Sequence, residues 1–220
     1  MVESKYNFKE LMKDRHSSRR FQSKEIPEEV LKDIISISIL SPSWCNSQAW
    51  NIYVVSGNTL EEIRKEWISK NNQKIKGYAD MPPGHRTDFY ERSQKTMAEF
   101  FKGFEHPKFE KAANINEVQW DLFKAPTLIY LTLPKEGSKY SILDLGGLEL
   151  AILLASKDHG VDSIPAYETI KYPDVIRKHV KIPENEDIII GIALGYEDKN
   201  IINEYRSKKL KLEDCCHFCK

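Results

Sequence analysis

At 220 residues, with 33 basic side chains balanced by 33 acidic ones, the chain is long enough for one ample core and has no cationic excess to advertise nucleic acid or an anionic membrane as a partner. No apolar run approaches the roughly 18 residues of a membrane span, and Met1–Lys5 lacks the basic-then-apolar layout of a secretory signal, so a soluble cytoplasmic protein is expected. No Gly/Ser-rich or Pro-rich linker divides the chain, and residues 1–220 read as a single domain.

Asn7 and Glu10 hold the N-cap and N3 positions of a capping box, and Phe8, Leu11 and Met12 share a face, which predicts a short helix that delivers Arg15 to its C-terminal end. There Arg15-His16-Ser17-Ser18-Arg19-Arg20-Phe21 strings guanidinium groups and hydroxyls at two-residue spacing, a pattern suited to a phosphate and the polar edge of a ring. By composition alone the same run is a cation cluster at a helix C-terminus or an anion-binding surface patch. Pro27, Glu28 and Glu29 predict a second helix, with the proline at its first position and an apolar stripe of Val30, Ile34 and Ile37. It stops at Pro42. From Ser41 to Trp50, small hydroxyl and amide side chains lie between Pro42 and two tryptophans, a mixture suited to hydrogen-bonding a flat heterocycle; Asn46 and Gln48 serve equally well as loop residues.

Asn51–Ser56 is β-branched and aromatic and predicts a strand. Gly57-Asn58 turns it into a helix from Thr59, capped by Asn58 with Glu61 at N3, and with Leu60, Ile63 and Trp67 facing inward. From about 71 to 116 the chain becomes polar and aromatic: loop, helix from Glu91 to Phe104, loop. Such excursions cover binding sites or simply pack as helices, and both readings stand. Thr127–Leu133 is the apolar run of a strand buried on both faces. Ser141 and Asp144 open a helix that is apolar around its whole circumference until Gly160, which places it at the centre of the domain, at a subunit interface, or both.

After Val161–Pro165 a short connection leads to a Pro-initiated helix over Tyr172–Val180. Ile188–Leu194 is the third apolar strand, closed by Gly195. The arm from about 196 to 220 is polar, has few core residues beyond a strand-like Leu210, Leu212 and Phe218, and lies over a surface or over a partner. Of the four cysteines, Cys45 stands alone and Cys215, Cys216 and Cys219 crowd the terminus, which fits a reducing compartment and no metal site. The histidines have no metal-ligand spacing and no serine or cysteine elbow occurs, so hydrolase chemistry has no support.

Arg15–Phe21, Pro42–Trp50, Leu143–Gly146, Tyr172–Arg177, Gly191–Tyr196 and Asn203–Lys209 follow one another as in the FMN-dependent nitroreductase family. The chain resembles that family's nitrobenzoate-reductase-like branch over nearly its whole length. The resemblance implies an α+β fold with a mixed, mainly antiparallel sheet flanked by helices, assembled as an intertwined homodimer with FMN at the interface. It implies that Arg15, Ser17 and Arg19, with His16 beside them, meet the flavin from one subunit, Arg15 at the phosphate and Arg19 at the pyrimidine edge. Arg206 and Lys209 would close on the phosphate, while Pro42, Ser43 and Asn46 approach from the partner subunit. Backbone donors of Ala166, Tyr167 and Glu168 would serve flavin N5 and its neighbouring carbonyl. The chain departs from the family at Ala49, where proline is usual, at Tyr167-Glu168, where a Glu-Gly pair is common, and at Lys209, where arginine is common and defines phosphate geometry better.

A flavin carries the redox chemistry itself, so the protein positions the ring, tunes its charge and controls access. The activity implied is a ping-pong cycle in which NAD(P)H reduces bound FMN, leaves, and is replaced on the same face by a nitroaromatic or similar flat acceptor, such as a quinone or enone. Phe89, Tyr90 and Phe123 are stacking candidates, and Arg86 and Arg92 are candidate contacts for an acidic substrate; ordinary core aromatics and solvated charges look the same in a sequence. A non-catalytic protein that binds, stores or senses flavin is the alternative.

Overall fold

β-Branched and aromatic runs become strands where a neighbour covers both their faces, and here two such runs sit in the middle of the sheet. In the computed structural model of the chain, which describes residues 7–109 and 114–220, the strands are β1 (Asn51–Ser56), β2 (Thr127–Pro134), β3 (Asp162–Pro165) and β4 (Glu186–Gly195). They form one sheet in the order β1-β2-β4-β3, with every neighbouring pair antiparallel. Thr127 through Leu133 of β2 are all buried, as a strand with both faces covered requires. Among the described residues, the parallel character expected of a mixed sheet is confined to an isolated bridge between Ser17 and Ser163.

Seven α-helices flank the sheet among the described residues: α1 (Phe8–Asp14), α2 (Glu28–Ser38), α3 (Gly57–Asn72), α4 (Glu91–Lys102), α5 (Ile115–Trp120), α6 (Lys139–Asp158) and α7 (Pro173–His179). The period-two alternation of β2 sorts its side chains to two cores. Leu128 and Tyr130 join Leu60, Ile63 and Trp67 of α3 and Val175 and Ile176 of α7. Ile129 and Leu131 join Leu31 and Ile34 of α2 and Leu145, Leu148 and Ile152 of α6. Trp67 and Ile34 are fully buried, and each such side chain contributes about 1.5–3 kcal/mol through removal from water.

The capping box at Asn7 and Glu10 is formed, with the Glu10 N–H donating to Asn7 Oδ1 at 3.1 Å. Other helix starts differ by one to three positions. Pro27 is the N-cap of α2 rather than its first helical residue. Gly57 takes a left-handed φ of 58°, so the chain reverses there and Ser56, not Asn58, caps α3. Ser138 caps α6 by accepting from the Tyr140 N–H at 3.2 Å, which leaves Ser141 buried inside the helix. Asp162–Pro165, to which the sequence assigns no element, is strand β3, formed because it pairs with β4 rather than because of any local apolar run.

The circumferentially apolar α6 buries only one side. Leu145, Leu148 and Ile152 face the sheet, while Ile142, Leu143 and Leu150 are exposed, as are Phe8 and Met12 of α1 and Ile37 of α2. No helix among the described residues is long and apolar enough to cross a membrane.

Candidate functional site

Residues 17–22 thread between β3 and the chain leaving β4. The Ser18 N–H donates to Ser163 O (3.1 Å), the Gln22 N–H to Tyr196 O (2.8 Å), and the Asp198 N–H to Arg20 O (3.2 Å). Gly195 permits this closeness, since a Cβ there would lie 2.7 Å from Pro126 Cδ and 2.9 Å from Phe21 Cδ1. The Ser18 hydroxyl donates to Glu197 at 2.6 Å, and His16 Nε2 meets the same carboxylate at 2.7 Å while its Nδ1 faces Asp14 O at 2.8 Å. Burial opposes ionisation of Glu197, but the hydrogen bonds from His16 and Ser18 outweigh it and hold the carboxyl below its usual range. His16, expected beside the cofactor, thus has both ring nitrogens committed to the scaffold.

The outer flank of this run is held by an unusual turn. Leu122, Phe123 and Lys124 have φ of 56°, 61° and 56°, a left-handed conformation that costs roughly 1–2 kcal/mol per residue. Arg64 clamps it, donating from Nε to Asp121 O (2.9 Å) and from Nη2 to Ala125 O (2.5 Å). The turn in turn holds the N-terminal run: Arg20 pairs with Asp121 at 2.6 Å, and the Phe21 N–H donates to Phe123 O at 3.3 Å. Phe123, expected as a stacking candidate, is 1% exposed and packs in the core beside Leu122.

Asn203 staples the arm to the same run. It is buried; its Oδ1 accepts from the Arg19 N–H (2.6 Å) and the Arg20 N–H (3.1 Å), and its Nδ2 donates to Arg20 O (2.8 Å). The arm therefore has more buried residues than its polar composition predicts, with Ile202, Asn203 and Tyr205 all inside. The staple brings Arg206 close enough to Arg19 for the two charges to repel. Arg206 donates to Asn203 O at 2.6 Å and Arg19 to Ser17 O at 2.8 Å.

Neither of these guanidinium groups, nor that of Arg15 at the C-cap of α1, has a carboxylate partner among the described residues. Arg20, Arg64 and Arg177, by contrast, are all paired. Arg19 is only 7% exposed. Burial, with repulsion from Arg206 added and Tyr205 opposing, lowers its pKa to about 10, so it remains a cation at neutral pH. A cleft of about 860 Å³ opens beside Tyr205, Arg206 and Lys208. Glu99, Glu105 and Glu204 also line the cleft, and Glu197 feels the charge of Arg206, but no carboxylate closes an ion pair with Arg19 or Arg206 among the described residues. Cations held by carbonyls in this way are chemically suited to an anionic, hydrogen-bonding ligand.

The bridge between Ser17 and Ser163 sets the run beside the strand that leads into Ala166–Glu168. The Ala166 N–H, expected as a ligand donor, is committed to Gly191 O at 3.1 Å, whereas those of Tyr167 and Glu168 have no acceptor among the described residues. The Glu168 side chain points into the core, where it pairs with Lys171 at 2.7 Å and meets Trp67 Nε1 at 3.3 Å. Desolvation outweighs those donors and raises its pKa. The departure from the Glu-Gly pattern is therefore absorbed by the interior.

Pro42, Ser43 and Asn46 are not brought to this cluster within one chain. Their loop is pinned to α6, where Asp144 accepts from the Trp44 N–H at 3.0 Å and Tyr140 lies against Trp44 at 5.8 Å. Cys45, Asn46 and Gln48 all have left-handed φ, and Ser43 Oγ accepts from the Gln48 N–H at 3.0 Å, which presents a rigid polar loop outward. Lys209 is exposed in the arm. Of the excursion's candidates, Phe89 and Tyr90 are exposed, Arg86 lies over the Phe101 ring at 4.7 Å, and Arg92 reaches the Asp214 carbonyl.

A model described as the nitroreductase family matches residues 12–196. The chain is 25% identical over 216 residues to 4-nitrobenzoate reductase of Pseudomonas putida, covering 96% of this chain and 95% of that one. It is 25% identical over 224 residues to chloronitrobenzene nitroreductase of Comamonas testosteroni, covering 95% of each. Among solved structures, that of FMN-dependent NfnB from Mycobacterium smegmatis in complex with NADPH superposes with a TM-score of 0.87 at 24% identity, over 96% of this chain and 97% of that one.

Proposed function

The chain belongs to the nitroreductase family, and from that premise we propose that it is an FMN-dependent oxidoreductase that takes electrons from NAD(P)H and passes them to nitroaromatic or similar flat acceptors. The names of its relatives, a 4-nitrobenzoate reductase and a chloronitrobenzene nitroreductase, support this substrate class. The observation that carries the proposal is the convergence of Arg19 and Arg206, from opposite ends of the chain, each held by a backbone carbonyl and neither in an ion pair among the described residues. FMN, when bound, supplies the two-electron chemistry.

The protein's own groups position and tune. Arg15 and Arg206 hold the phosphate, where bidentate guanidinium pairing defines geometry, with Lys209 as an added point charge. Ser17 and Arg19 meet the ring's polar edge. An oriented guanidinium there favours negative charge on the ring without the reorganisation that water would need. The free N–H groups of Tyr167 and Glu168 are the donors toward N5. Phe89 and Tyr90 of the segment between α3 and β2 form the flat wall against which acceptors stack.

The second wall, Pro42, Ser43 and Asn46, comes from a partner copy. The exposed apolar residues of α1, α2 and α6 support a homodimer, since about 800 Å² per subunit is needed for a stable interface and the outward face of α6 is otherwise left wet. The four free cysteines support a cytoplasmic setting.

The test is anaerobic spectroscopy of the purified protein with FMN. Bleaching of the bound flavin by NADH or NADPH, followed by recolouring with a nitrobenzoate, is the expected result. Yellow protein inert to both nicotinamides identifies a flavin binder instead, and protein that takes up no FMN removes both readings.

A further inference from the structure

Three aromatic rings surround Arg19, and they come from two parts of the chain that have no sequence contact with it. The guanidinium carbon lies 5.1 Å from the ring centroid of Phe104, 5.5 Å from that of Tyr205 and 5.8 Å from that of Phe100. These distances are within the range at which a ring quadrupole attracts a cation. The rings also brace one another. Phe104 and Tyr205 lie 4.0 Å apart with their planes tilted by 33°, and Phe100 meets each of them edge-on at 5.3 and 5.5 Å.

A polar latch fixes the assembly. The Tyr205 hydroxyl donates to Phe100 O at 2.8 Å, joining the C-terminal end of α4 to the arm. Gly103 is what lets Tyr205 in, since a Cβ at that position would lie 2.5 Å from the Tyr205 hydroxyl oxygen. A second bond, between Lys108 and Glu204, closes the same seam. Both of Arg19's fixed contacts, the Ser17 carbonyl and this cage, are uncharged. The guanidinium is thereby held still and kept dry without being neutralised.

We propose that Phe100, Phe104 and Tyr205 are positioning residues that set the reduction potential of bound FMN through Arg19. The inference rests on the FMN reading above. A charge acts more strongly in a dry, low-dielectric setting than in water. The cage preserves Arg19's leverage on the ring's negative charge after reduction, and water admitted by a missing ring screens it. Removing a ring therefore lowers the potential, while the affinity for oxidised FMN, carried mainly by the phosphate contacts, changes little. A purely structural role would weaken binding of both redox forms alike and leave the potential where it was.

The experiment uses the full-length protein loaded with FMN. Midpoint potentials are measured by dye-coupled reductive titration for wild type, Phe104→Leu, Phe104→Trp and Phe100→Leu, with the dissociation constant of oxidised FMN determined for each. Phe104→Leu is expected to lose about tenfold of its preference for reduced over oxidised FMN, a fall of about 30 mV for a two-electron couple. Phe100→Leu shifts in the same direction by less, and Phe104→Trp, which keeps a ring face, stays near wild type. If Phe104→Leu does not fold, Phe100→Leu alone decides the matter by the sign of its shift. Wild-type potentials in the leucine variants, with FMN bound, overturn the proposal. Failure of the wild-type protein to bind FMN overturns instead the function on which it rests.

Discussion

Asn203 holds the two ends of the chain together with one side-chain amide. Its oxygen serves two backbone N–H groups and its nitrogen donates to a third backbone atom, all inside the protein. Asn203→Ala leaves the Arg19 and Arg20 N–H groups buried without acceptors, at a cost of about 1–3 kcal/mol. The expected outcome is a lower urea midpoint together with weaker FMN binding, because Arg206 is no longer held beside Arg19. Asn203→Asp keeps an acceptor for the N–H groups but sets a second oxygen against the Arg20 and Asp198 carbonyls, so it is expected to lower the urea midpoint as well; an Asn203→Ala variant indistinguishable from wild type in both measurements contradicts the staple. The sequence marked Arg15–Phe21 because guanidinium groups at regular spacing are a local signal, and Asn203–Lys209 only through the family resemblance. It could not show that Asn203 matters most in the arm, since its partners lie more than 180 residues away. Nor could it show that Glu168 turns inward, because that depends on Trp67 and Asn71 of α3 and on Lys171 in the turn before α7 meeting it.

At the scale of elements, α6 is joined to α2 by His159, whose side chain is 3% exposed. Its Nε2 meets Asp33 Oδ2 at 3.0 Å and its Nδ1 meets Ala155 O at 2.8 Å. Burial acts against the charged ring, but the bonds to Asp33 and Ala155 outweigh it, and the pKa is raised above its ordinary 6.5. A raised folded-state pKa contributes stability that is fully present below the unfolded value and disappears as pH rises through the folded one. The urea midpoint should therefore decline as pH rises above the ordinary histidine value of about 6.5, and His159→Gln should flatten that decline; an equal slope in the variant would remove His159 as its source. Strands β1, β2 and β4 were legible because their apolar runs are long and locally consistent. Strand β3 was not, because four residues, Asp162–Pro165, owe their conformation to β4. The caps of α3 and α6 were misplaced for a related reason: the left-handed Gly57 and the turn at Glu136-Gly137 decide where the chain reverses, and side-chain type alone does not reveal that.

For the whole molecule, the proposed second copy of the chain would cover both the exposed apolar side of α6 and the outward-facing loop at Pro42–Asn46. Within one chain the loop and the arginine cluster are separate features, each incomplete as a flavin site. In the proposed two-fold dimer each site would take the arginines of one subunit and the loop of the other. Subunit complementation tests this most directly. Arg19→Ala removes the guanidinium, and Asn46→Asp places a negative charge on the loop while keeping a residue type that tolerates its left-handed φ. Each variant alone is expected to lose most FMN binding. Co-expressed in equal amounts with separate tags, they form mixed dimers in which one site inherits both defects and the other neither, so about one site in four across the population regains wild-type FMN affinity. If the mixture binds no more FMN than the two variants measured apart, the two walls belong to one chain or to no common site, and the shared-site account is wrong.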